Sequence, residues 1–191
     1  MSSPGEPPNS KKMKIFHALL FVLIFALGTA CNGGKKNTDI AINTPEEVKT
    51  EKANMPDNFD AAFADGLTEA IFQDYLHLRT AFVNSEQGEA TAAARELTER
   101  LTDEQAEALA AARSIVEASD LEQQRDAFSD LTIALEPLFK NGLSEGVIYK
   151  QHCPMAFNNE GADWFSDSEQ IRNPYFGDKM LSCGKVVETI Q

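Results

Sequence analysis

Cations are scarce in this chain: 17 Lys and Arg stand against 30 Asp and Glu, a formal charge of −13. So acidic a chain is a poor partner for nucleic acid or anionic lipid, whose binding rests on neutralising phosphates. Cysteine is scarcer still, three residues in 191, and none forms the Cys-x-x-Cys pair of a thiol oxidoreductase. There is no internal repeat, and the apolar run Ile15–Leu27 is only thirteen residues, short of the roughly 20 that a bilayer-spanning helix needs. An enzyme is not expected.

What is present begins with "KKMK", the run "IFHALLFVLIFAL" and then "GTAC". A basic start, a short apolar core and small residues before Cys31 resemble a bacterial lipoprotein signal. Cys31 would then be lipidated and become the mature first residue. Gly28 stands where an apolar residue is usual, and an uncleaved signal anchor is the competing reading. Met13 is an alternative start to Met1. Residues 32–57 are polar and carry no aromatic residue, the composition of a tether; a capping box from Thr44 to Glu47 marks one helical turn within it. The expected organisation is a signal peptide over 1–30, a lipidated cysteine and flexible tether over 31–57, and a folded domain over 58–191. The expected location is the bacterial cell envelope, held to the membrane by the N-terminal lipid and facing the periplasm.

From Phe59 the pattern changes. Phe59, Phe63, Leu67, Ile71, Tyr75, Leu78 and Phe82 recur at helical spacing. Ala90, Ala94, Leu97 and Leu101 form a second stripe. Capping boxes from Thr102 to Gln105 and from Ser119 to Glu122 open two more helices. Pro137 is expected to kink or end the last of them, and the helical region to stop near Gly142. Four helices on short loops predict a mainly α fold, an up-and-down four-helix bundle. A short, irregular, aromatic-rich C-terminal segment follows, with a strand signal in "GVIYKQH" and a turn at "NPYFG".

That segment carries "QHCPMAF" and "MLSCG". Pro154 biases Cys153 toward extended backbone, in which Cys153 and Met155 share a side. Met180 and Cys183 share a face if their segment makes a helical turn. Two thiolates and two thioethers favour Cu(I) or another soft ion over zinc, with His152 alongside. Two alternatives stay open: a Cys153–Cys183 disulfide, favoured in exported compartments, and free thiols. Asp163 and Asp167 beside Trp164 read as a solvated loop, and His77 as a satisfied structural histidine.

"YLHLRTAFV", "YKQHCPMAFNNEGADWFSD" and "IRNPYFGDKMLSCG" together resemble a bacterial family known as domain of unknown function 3347, over roughly Phe59 to Gln191. Its members are commonly exported, and in some the domain is joined to periplasmic adaptor subunits of copper and heavy-metal efflux pumps. The resemblance implies copper handling, with metal-efflux components as partners and Cys153, Met155, Met180 and Cys183 at the motif positions. "CPM" is also similar to the Cys-Pro-Met-His of small heavy-metal-binding modules. Ala156 takes the place of that histidine here, and His152 is the candidate substitute.

Overall fold

The computed structural model describes residues 61–191. The expected signal peptide, Cys31, the expected tether with its capping box, and Phe59 lie outside the described residues.

After a two-residue strand, β1 (Ala62–Phe63), the first helix among the described residues, α1, spans Gly66–Val83. It starts later than the apolar stripe predicts. Asp65 is extended and caps it, accepting from the Thr68 amide at 2.8 Å, so Phe63 becomes a buried strand residue and Leu67 is 46% exposed. The rest of the stripe, Ile71, Tyr75, Leu78 and Phe82, is buried. Hydrogen bonds from Thr68 hold the Asp65 carboxyl below its usual range, as a negative cap at a helix N-terminus does.

Helix α2 (Gln87–Arg100) buries Ala90, Ala94 and Leu97. The predicted Thr102–Gln105 capping box forms, opening a 3₁₀ turn that leads into α3 (Ala106–Glu117). Helix α4 (Leu121–Gly142) takes Asp120 as its cap rather than Ser119, because the carboxylate is the stronger acceptor and meets the Gln123 amide at 2.9 Å. Pro137 lies inside α4 and does not end it. The carbonyl it leaves without an amide belongs to Ile133, a residue 64% exposed on the solvent side of the helix.

Helices adjacent in sequence pack on one another, and α1 also meets α4. The α1–α4 contact is aromatic, with Phe72 on Phe139 at 4.9 Å, Tyr75 on Phe128 at 5.2 Å and Phe82 on Phe128 at 4.9 Å. Small alanines instead line the buried faces of α2 and α3. The fold is therefore mainly helical.

The C-terminal segment is more regular than its composition predicts. β2 (Leu143–Glu145) pairs with β1, while β3 (Ile148–Cys153), β4 (Ala162–Ser166) and β5 (Lys185–Ile190) form an antiparallel sheet in the order β4-β3-β5. Between β3 and β4 a short turn, α5 (Ala156–Asn159), holds Phe157, Asn158 and Asn159 at positive φ. The expected "GVIYKQH" strand is β3, and "NPYFG" is a turn in which Asn173 Oδ1 accepts from the Tyr175 and Phe176 amides at 2.8 and 3.2 Å. β4 packs on α4, with Phe165 edge-on to Phe139 at 5.5 Å.

Candidate functional site

β3 is the central strand, and alternation along it sorts its side chains onto two faces. Gln151 and Cys153 are buried on one face; Lys150 and His152 lie on the other. On that second face Asp163 gathers both, His152 Nδ1 at 2.7 Å and Lys150 Nζ at 3.1 Å, and Lys150 continues to Glu136 at 2.8 Å. His152 is therefore engaged by a carboxylate and does not share the Cys153 side.

Cys153 ends β3, opposite Ala162 of β4. On its other flank β5 begins at Lys185, opposite His152, so Cys183, two residues earlier, arrives beside Cys153. Gly184 makes the approach possible: a Cβ there would stand 2.8 Å from the Trp164 ring and 2.9 Å from the His152 carbonyl, at a φ of +146°. Asn173, fully buried, fixes the incoming chain by donating from Nδ2 to the Cys183 carbonyl at 2.7 Å. The Cys183 amide donates to the Met180 carbonyl at 3.1 Å. The two sulfurs lie 3.3 Å apart as free thiols. Their hydrogen bond, then burial, then the charge of Cys153 push the Cys183 thiol above its usual range.

The methionines fare differently. Met180 is half-buried and stands in the same turn as Cys183. Met155 departs from the expected pattern: its backbone turns helical (φ −98°, ψ −8°), so the two-residue alternation lapses after Pro154. Cys153 is 0% exposed and Met155 46%, and Met155 lines a groove of about 1030 Å³ with Arg125, Phe157, Tyr175 and Lys179. Asp126 is on that groove's rim, its carboxyl pushed up by burial and by Glu122, Asp130 and Asp120. Among the described residues no group of three or more His, Cys, Asp or Glu is placed to hold an ion.

Asp163 and Asp167 are not the solvated loop expected of them: Asp163 lies in β4 and serves Lys150 and His152, and the Asp167 side chain, 6% exposed, meets Arg79 at 3.7 Å. His77 is exposed, 4.0 Å from Glu96, rather than enclosed. Two residues that assemble the cysteine pair, Asn173 and Gly184, were not candidates. The Asn-Pro and Cys-Gly dipeptides were their only signal.

Fold and site define a mainly helical domain carrying a small antiparallel sheet with a cysteine pair at its end. Residues 71–146 match the family described as "Protein of unknown function (DUF3347)", the family that the sequence resembles. The matched stretch runs from within α1 to just past β2 and ends before Cys153. The cysteine segments on which that resemblance rested lie beyond it. No curated protein matches the chain, and no solved structure does.

Proposed function

We propose that the chain is an exported, lipid-anchored and non-enzymatic protein of the bacterial envelope. Its four long helices form an up-and-down bundle, and its C-terminal sheet is stapled by a Cys153–Cys183 disulfide to present a surface to a protein partner. The supporting observation is the 3.3 Å contact between the two sulfurs, with both backbones fixed by sheet pairing or hydrogen bonds. An oxidising compartment would close such a pair. The lipid on Cys31 would hold the domain against the membrane.

The test is peptide mass mapping of the full chain, exported in a bacterium, extracted in detergent and digested without reductant. A Cys153–Cys183 peptide two hydrogens light supports the staple. Free thiols at both positions in protein from an oxidising periplasm would overturn it.

A second reading rests on the same contact and on Met180 sharing the Cys183 turn. The two thiolates, with Met180 as a third donor, fit a soft ion such as Cu(I). Met155, 46% exposed, and His152, engaged by Asp163, are left out of this donor set. Copper buffering or delivery to efflux components would follow. One Cu(I) per reduced chain, lost in Cys153→Ala and kept in Met155→Ala, supports this reading; no copper adduct overturns it.

A further inference from the structure

The two sulfurs are unequal in access. Cys153 is fully buried, at the end of the central strand and within the hydrophobic core. Cys183 is half-buried, in the turn between the 3₁₀ segment Gly177–Lys179 and edge strand β5. A reagent arriving from solvent meets Cys183 first. Once it has reacted there, Cys153 Sγ is the nucleophile in contact with the modified sulfur, at 3.3 Å.

We infer that Cys183 is the entry site for thiol–disulfide exchange with an external disulfide and that Cys153 is the resolving thiol. This inference rests on the staple reading above and adds to it the order of events and the class of reactant, a small-molecule or protein disulfide RS–SR. In the first step Cys183 loses its proton to solvent. Its thiolate attacks one sulfur of RS–SR, forming Cys183–S–SR and releasing RS⁻, which takes up a proton. In the second, Cys153 loses its proton and attacks Cys183 Sγ, breaking the bond to SR and releasing a second RSH. Two protein thiols are oxidised and one external disulfide is reduced to two thiols, so no other oxidant is required.

Nothing in the fold needs to open for the second step. Cys153 is held by the β3–β4 ladder and Cys183 by Asn173 and Met180. The mixed disulfide in the wild-type chain is therefore short-lived, whereas without Cys153 it has no internal route of decay.

The experiment uses the reduced full chain and glutathione disulfide as probe, with adducts located by peptide mass mapping so that Cys31 is read separately. Wild type is expected to lose two hydrogens across Cys153 and Cys183 without accumulating an adduct. Cys153→Ala is expected to accumulate one glutathione at Cys183, and Cys153→Val serves if alanine disturbs the fold. Cys183→Ala is expected to acquire glutathione at Cys153 at least roughly tenfold more slowly, the difference vanishing in urea. Adduct formation on Cys153 as fast as on Cys183 overturns the order of entry while leaving the staple intact. A wild-type chain that keeps a stable Cys183 adduct overturns Cys153 as resolver. Failure of wild type to form either disulfide or adduct overturns the staple reading and this inference with it.

Discussion

The Tyr75 hydroxyl in α1 lies 2.9 Å from Thr132 Oγ1 in α4 and accepts from the Phe165 amide in β4 at 3.1 Å. One phenol thus joins both helices to the sheet. β4 is an edge strand, so the outward amide of Phe165 has no strand to meet, and Tyr75 supplies the acceptor. Burial pushes the phenol's pKa up to about 12, which keeps it neutral. Tyr75→Phe preserves the ring packing and leaves that amide unpaired. It is expected to cost about 1–3 kcal/mol, read from urea unfolding with an unchanged m-value.

Arg79 and Asp167 form a second helix-to-sheet link that is nearly as buried. The Arg79 guanidinium donates to Ser166 Oγ at 2.6 Å and stands 3.7 Å from Asp167, with both side chains under a tenth exposed. Arg79→Ala strands a carboxylate in the interior and is expected to cost about 3–5 kcal/mol. Arg79→Met with Asp167→Leu removes both charges and should recover most of that loss. A double variant no more stable than the single one would show that the pair itself carries the stability.

If the staple forms, it closes a loop of about thirty residues, worth about 3–4 kcal/mol in the chain-entropy model. Wild type is expected to unfold at lower urea once reductant is added, while Cys183→Ala, without a loop to open, should not respond to reductant. Chemical denaturation of both proteins with and without reductant checks this.

The Cys183 thiol is held up first by its hydrogen bond with Cys153. A raised thiol pKa means less thiolate at a given pH, so alkylation of wild-type Cys183 by iodoacetamide is expected to keep rising with pH beyond the range of an ordinary cysteine. Cys153→Ala removes the leading cause, and its pH–rate profile should move to lower pH. An unmoved profile would show that burial alone sets the shift.

Helices were legible because their signals are local. The stripe from Ile71 to Phe82 and the Thr102–Gln105 box each use contacts a few residues apart, and both stand in the structure. Their edges were less legible. Ser119 and Asp120 are both good caps, and only the acceptor strength of the carboxylate separates them. The sheet was half legible: β3 alternates, but β4 and β5 become strands only by pairing across gaps no local period reveals. Within the site, bringing Cys153 and Cys183 together depended on Asn173 and Gly184, whose roles arise from tertiary contacts. The same-side placement of Met155 failed because an alternation rule holds only while the strand lasts, and β3 ends at Cys153.

Gln124 has a consequence for how the alanine-rich helices align. It is fully buried in α4, and its Nε2 donates to Thr91 Oγ1 at 2.9 Å in α2 and to the Ile115 carbonyl at 3.3 Å in α3. Faces built of alanine are smooth, and sliding one past another costs little packing. A slip of one helical turn, about 5.4 Å, would carry the amide away from its acceptors and leave a polar group stranded in hydrocarbon. The glutamine acts as a key in a keyway: three helices that would otherwise glide are indexed to one position.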